Sequence, residues 1–298
     1  MTNEELRDQF ILLFRGRGDA YGHEEGRCVK EPLTPDVFMR HLLGDEPIGV
    51  YPLVPPKNIC VWGCSDIDIE DISLATTLRD ALEAAGVTCF IERSRSKGYH
   101  VWVFAKGVVS ARDMRRMFLA AHQVANIPPR EVNPKQESLS GANYGNYVRL
   151  PYVGALVNDT PERRVILDHN LQPVQFEKFL RQAVETRVEP ELITQLAGFY
   201  KEPVAQNPTN FSMDTPVSVK QALVNLTPLG KVIWRDGPLP NKDRSNTLAH
   251  LAHECVRSGL TPSETRVVIA DADKRWGKYH LRANGDQEID KLVVRVYK

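Results

Sequence analysis

With 298 residues, 42% of them apolar and 26% charged, the chain has the make-up of a soluble globular protein, long enough for one large core and a smaller one. Its 38 Lys and Arg balance its 38 Asp and Glu, so no global field argues for nucleic acid, and no run approaches the ~20 apolar residues that cross a bilayer. The acidic start MTNEELRDQF lacks the basic and apolar regions of a secretory signal, and five scattered cysteines point to a reducing compartment, so a cytoplasmic location is expected.

The first predicted element is a helix over 4–14, broken by Phe14-Arg15-Gly16-Arg17-Gly18, and a second helix follows over 35–43 behind Pro35. Strands are predicted over 48–53 and 58–65. An Ala- and Leu-rich helix over 72–85 is closed by Gly86. Strands over 87–91 and 99–104 flank a polar loop, Glu92-Arg93-Ser94-Arg95-Ser96-Lys97-Gly98. Ser110 and Asp113 open a helix that runs to about Ala125, much as in a capping box. Short strands over 147–150 and 165–167 and a helix near 174–185 complete an alternation that indicates mixed α/β layers.

Residues 186–215, with Pro190, Pro203 and Pro208 among polar filler, suit a domain boundary. Beyond them the spacing is helical: 245–258 carries Leu248, Leu251, Ala252 and Cys255 on one face, and Thr261-Pro262-Ser263-Glu264 starts another helix. Residues 216–298 hold 14 Lys and Arg against 9 Asp and Glu, so a net-acidic body precedes a basic tail.

The stretch ICVWGCSDIDIED is an apolar strand that ends in acids at alternate positions. On a strand, Asp66 and Asp68 share a face, and such carboxylates repel unless a cation or proton sits between them. A strand entering a solvated acidic loop would look the same. Cys60 and Cys64 share a face too, but no nearby Cys or His pair completes a zinc set, so no structural zinc is expected. SRSKGYH, at 94–100, joins hydroxyls, a Lys and a glycine turn, the parts of a phosphate cradle. His100 shares a strand face with Trp102, which equally suits a satisfied core histidine. Leu167-Asp168 is a second apolar strand ending in an acid, for which a turn is the plain account.

In chain order, Ser65-Asp66-Ile67-Asp68, Ser96-Lys97-Gly98-Tyr99-His100 and Leu167-Asp168 resemble motifs I, II and III of the archaeo-eukaryotic primase superfamily. The likeness is to its prokaryotic and viral primase-polymerase branch, which includes conflict-system and CRISPR-associated members. Leu13-Phe14-Arg15-Gly16-Arg17, Ile48-Gly49-Val50-Tyr51-Pro52-Leu53, Asn133-Pro134-Lys135-Gln136 and Val148-Arg149-Leu150-Pro151 support it. Several relatives carry a zinc module near the N-terminal motif; residues 22–34 here contain no such set.

The resemblance implies an α/β (α+β) fold: an RRM-like catalytic core with an N-terminal αβ unit over 1–190, a linker over 191–215 and a small all-α domain over 216–298. It implies a primase-polymerase that makes primers de novo on a single-stranded DNA template from NTPs or dNTPs, using a two-metal site with Mg2+ or Mn2+. Asp66, Asp68 and Asp168 would hold the metals, Ser96, Lys97 and His100 the triphosphate, and Arg149 a phosphate or the template. Lys135 and Gln136 are further nucleic-acid candidates, as are Lys242, Arg244, Lys274 and Arg275 with Trp276, since basic groups neutralise phosphates and aromatics stack on bases. A helicase or other replication, repair or CRISPR proteins are the implied protein partners, with no membrane. The alternatives are a repair or end-joining polymerase, a nucleotide-sugar glycosyltransferase using the DxD, and a non-catalytic nucleic-acid-binding module.

Overall fold

The computed structural model describes residues 1–129, 131–139, 143–158, 160–202, 218–238 and 243–297. Its contacts divide the chain into Met1–Lys201 and Glu202–Lys298.

In the first unit, Thr2 and Glu5 form a reciprocal capping box that starts α1 (Asn3–Phe14), whose buried stripe is Leu6, Phe10, Leu13 and Phe14. Two short strands missed by the sequence follow, β1 (Tyr21–His23) and β2 (Cys28–Val29). Next come α2 (Pro35–Leu43), β3 (Ile48–Val50), β4 (Ile59–Ile67) and α3 (Ile72–Ala84). The strand β5 (Phe90–Arg93) includes Glu92 and Arg93, so the expected polar loop begins two residues later than predicted. It turns into β6 (Tyr99–Ser110), and the Ser110 hydroxyl accepts from Asp113 N at 3.0 Å to start α4 (Ala111–Ala125). The strands β7 (Glu131–Asn133), β8 (Val148–Arg149) and β9 (Val165–Leu167) precede α5 (Phe176–Glu185) and α6 (Pro190–Ala197). The linker expected from 191 therefore opens on a helix, whose Ile193 and Ala197 are buried.

Both sheets are antiparallel: one of order β7-β4-β6-β5-β9, the other β2-β1-β3-β8. The two faces of β4 meet different partners, as period-2 alternation requires. A Cβ at Gly63 would lie 2.6 Å from the Met114 side chain and 2.8 Å from Phe118, so this face carries α4 directly on its backbone. On the opposite face Trp62 Nε1 donates to Arg15 O at 3.0 Å, and the Phe14 ring packs edge-on against Trp102 and Phe104 at 5.2 and 5.0 Å. Phe90 and Phe104 also meet Phe179 of α5. Each fully buried ring of this layer stabilises the fold by about 1.5–3 kcal/mol. These aromatics fill only half of the face; two residues farther along each strand the side chains turn polar.

The second unit is helical: α7 (Val219–Asn225), α8 (Pro228–Asp236), α9 (Arg244–Arg257), α10 (Pro262–Trp276) and α11 (Gly285–Val296). Leu248, Leu251, Ala252 and Cys255 of α9 are all buried, with Val268, Ile269 and Ile289 from its neighbours. Thr261 and Glu264 make the reciprocal cap their spacing predicts. In the last turn of α10 the buried Asp273 accepts from the backbone N–H groups of Lys278, Tyr279 and His280, holding the turn toward α11. Among the described residues, no helix is long and apolar enough to cross a membrane.

Candidate active site

Register assembles the site. Asp66 on β4 pairs with His100 on β6, and His100 with Glu92 on β5, so these side chains form one row across the sheet. On the other side of β4, Glu131 of β7 also stands opposite Asp66. Cys64, Trp102 and Phe90 make the adjacent row, where the aromatic core begins. Glu92 is the seam between the two: its Oε2 accepts from Trp102 Nε1 at 2.7 Å and bonds His100 Nδ1 at 2.8 Å.

This row, with Asp68, Ser94, Arg95, Ser96, Asn133, Tyr147, Arg149 and Arg164, lines a cavity of about 200 Å³. The second sheet supplies the opposite wall. Gly22, Gly49 and Arg149 are cross-strand neighbours, and a Cβ at either glycine would fall 2.3 Å from the Tyr147 ring. The two glycines thus make room for Tyr147, whose hydroxyl donates to His23 O at 3.1 Å. The turn from β5 to β6 depends on Gly98, at φ +89°, where a Cβ would lie 2.2 Å from Ile67 O. Ser94 closes that turn by donating to Lys97 O at 2.9 Å.

The electrostatics are divided. Burial pushes the Asp66 carboxyl up to about 6; His100, at 3.7 Å, opposes this, while Asp68, Glu131 and Glu92 add to it. Burial alone would lower the His100 imidazole, but the Glu92 carboxylate, with Asp66 and Asp68, raises it to about 9. His100 is therefore an imidazolium at neutral pH, and Asp66 is a carboxylate short of positive charge. Opposite them Arg149 lines the cavity, and its Nε is buried without a hydrogen-bond partner. An acidic floor short of a cation and a guanidinium short of an acceptor suit a metal-bound anion.

Among the described residues, no group of three or more His, Cys, Asp or Glu is gathered as a ready-made metal cage. Magnesium is commonly held by one or two carboxylates together with substrate phosphates and water, so Asp66 and Asp68 fit as donors. Glu131 stands nearby, with its carboxylate 3.0 Å from Lys135 Nζ.

Several expected residues lie elsewhere. Asp168 is the main correction. The pairing Ile91 with Leu167 sets it in the row of Phe90, Trp102 and Cys64, on the edge strand side. Three strand spacings, about 14 Å, separate β9 from β4, too far for a cation to be shared with Asp66. Its carboxylate accepts instead from Asn170 N and Gln172 N at 2.8 and 2.9 Å, holding a turn. The acid that the sheet does bring beside Asp66 is Glu131, which the sequence reading left out. Lys97 is exposed and off the cavity wall, whereas Ser96, His100 and Arg149 line it. Gln136 donates to Asn146 at 2.8 Å.

In the helical unit Arg244 donates to Gly277 O, and Arg275 stacks on Trp234 at 3.9 Å while pairing with Asp271. Trp276 donates to Trp234 O, and Lys274 is exposed. Lys242 lies outside the described residues. Arg164, Glu92 and Glu131 sit in unremarkable local sequence and gain their meaning from residues distant in the chain, while Arg95, inside the SRSKGYH loop, gains its place from Glu24.

The model of the archaeo-eukaryotic primase domain of TOTE conflict systems matches residues 24–188, more than half of the chain. No curated protein matches it. Among solved structures, the chain is similar to a primase described as RepB′, at 13% identity and a TM-score of 0.35, over 99% of this chain and 94% of that one. It is also similar to the polymerase domain of Mycobacterium tuberculosis Ligase D in complex with DNA, at 15% identity and a TM-score of 0.28, over 60% of this chain and 70% of that one. The family match takes in both walls of the cavity, and the chain belongs to the archaeo-eukaryotic primase domain family of TOTE conflict systems.

Proposed function

We propose that this protein is a primase-polymerase, a DNA-templated nucleotidyltransferase that starts strands de novo on single-stranded DNA and extends them from nucleoside triphosphates. The observation that carries this reading is the cavity itself, with Asp66 and Asp68 on its floor, the His100 imidazolium beside them and Arg95, Arg149 and Arg164 on its walls. Asp66 and Asp68 would hold magnesium or manganese, with Glu131 close by. The bound cations would neutralise charge on the attacking and leaving oxygens of the α-phosphate displacement.

The chain's own groups account for the rest. His100, kept charged by Glu92, donates to a phosphate oxygen, and its imidazole is fixed in orientation by the Glu92 bond. Arg95 and Arg164 offer forked donors that match phosphate oxygens. Ser94 and Ser96 place a hydroxyl and a turn backbone at the same end. Tyr147 presents a ring against which a sugar or base can rest. For the C-terminal helices we propose contact with the template strand or the initiating nucleotide through Arg244, Lys274, Arg275 and Trp276, and through Lys242.

A primed template whose next base is known tests the reaction class. With Mg2+ or Mn2+, only the complementary nucleotide should be added, and chelation by EDTA should stop addition. Addition of any nucleotide regardless of template, or turnover of a nucleotide sugar in its place, would refute templated synthesis.

A further inference from the structure

Outside the cavity wall, one residue holds the arginines that line it, two through its side chain and one through its backbone. Glu24 sits in the turn between β1 and β2, on the N-terminal sheet. Its carboxylate pairs with Arg164 Nη2 and Arg95 Nη1, and its backbone carbonyl accepts from Arg149 Nη2 at 3.1 Å. These arginines come from different parts of the fold: Arg95 from the turn between β5 and β6, Arg149 from β8, and Arg164 from the residue before β9. Glu24 is where they converge, while the cavity in front of them stays open.

We propose that Glu24 is a positioning residue for nucleotide binding, a brace that sets Arg95, Arg149 and Arg164 in a phosphate-ready arrangement before any ligand arrives; this rests on the primase-polymerase reading above. Three guanidiniums crowded without an anion would repel one another and splay into solvent. Each has many rotamers to lose when a ligand orders it, and a partner that orders it beforehand removes that cost from binding. The Arg164 side chain is only 9% exposed, so its orientation depends on what lies beside it, and Glu24 is the carboxylate there. A guanidinium has five N–H donors, and Glu24 bonds one nitrogen of Arg95 and one of Arg164. Arg149, whose Nε is buried without a partner, lines the same space.

The opposite role is a competitor, with Glu24 occupying the seat until phosphate displaces it. Its place behind the arginines and off the cavity wall favours the brace.

The test compares wild type with Glu24→Ala and Glu24→Asp. Binding of inorganic tripolyphosphate and of ATP is measured by calorimetry at fixed Mg2+, with KM and kcat for incorporation and melting temperature alongside. A brace predicts that Glu24→Ala weakens both ligands about tenfold or more and raises KM by a similar factor, with kcat within about threefold. Glu24→Asp should recover most of the loss, and Glu24→Ala should melt lower than the other two because it leaves the buried Arg164 without its carboxylate. Affinity that is unchanged or tighter in Glu24→Ala would overturn the brace and leave the nucleotide reading standing. If wild type bound neither ligand, the nucleotide reading and the brace would fall together. A melting temperature that drops equally in both variants, with no change in KM for the folded fraction, would assign Glu24 to structure alone.

Discussion

Asp66→Asn or Asp68→Asn should lower templated nucleotide incorporation by about a thousandfold or more, while the protein stays folded. Losing a cation ligand removes several kcal/mol of transition-state stabilisation, and each 1.36 kcal/mol is a factor of ten in rate. The two variants should differ in stability. Burial and like-charged neighbours raise the Asp66 carboxyl from 3.8 to about 6. A carboxyl raised on folding binds its proton more tightly in the folded state, so its stabilising effect is complete below pH ~3.8 and lost as pH rises through about 6. At neutral pH the ionised Asp66 therefore destabilises the fold, and Asp66→Asn should gain about 1–2 kcal/mol as it loses activity. Asp68 is exposed, and Asp68→Asn should change stability little. Thermal melts and single-turnover incorporation at pH 7.5 would show both effects. Incorporation within tenfold of wild type in either variant would remove that acid from the site.

Glu92→Gln should have the second large effect, through His100. The amide carbonyl introduced by this substitution can still accept from Trp102, but the charge that keeps the imidazole protonated is gone. In the wild type the raised His100 contributes stability that is complete below about pH 6.5 and lost as pH rises through about 9. That difference is worth about 3 kcal/mol. Activity should follow the same two groups. The plot of kcat/KM for the nucleotide against pH should be bell-shaped, with an acid limb near 6 from Asp66 and a basic limb near 9 from His100. The acid limb should move down as the metal concentration rises, because a bound cation favours the carboxylate. In Glu92→Gln the basic limb should fall by about two units or more, since burial then acts on His100 without its main opposing charge. At pH 8 a fall of about two units amounts to a loss of about tenfold, and a larger fall to more. An unchanged basic limb would show that His100 need not be charged.

Much of this site is legible in the sequence where chemistry and local pattern coincide. Ile59–Ile67 reads as a strand with acids at its end, and the register sets Asp66 facing His100. The core helices are legible from spacing and caps, as with Thr261 and Glu264. What fails is what only long-range pairing decides. Val165–Leu167 and Ile59–Ile67 are both apolar strands that end near an acid, but one is at the sheet edge beside β5 and the other is flanked by β6 and β7. No local signal separates them, so Asp168 was drawn into the site and Glu131 left out. Glu92 looked like the first residue of a polar loop because nothing nearby in sequence shows that Trp102 and His100 will bury it. The strands β1, β2 and β7 are two or three residues long and sit in polar stretches, without the apolar run that marks the equally short β9. Glu24 lies in a stretch with no motif of its own, and its arginines are about 70 to 140 residues away in the chain.

The account stands or falls on synthesis without a primer. Single-stranded DNA, labelled NTPs or dNTPs and Mg2+ or Mn2+ would be incubated with wild type and with the Asp66→Ala, Asp68→Ala double variant, and the products resolved by length. Short products made by the wild type, absent with EDTA and absent in the double variant, are the predicted result. Products of equal yield from the variant, or none from folded wild type without a primer, would contradict it.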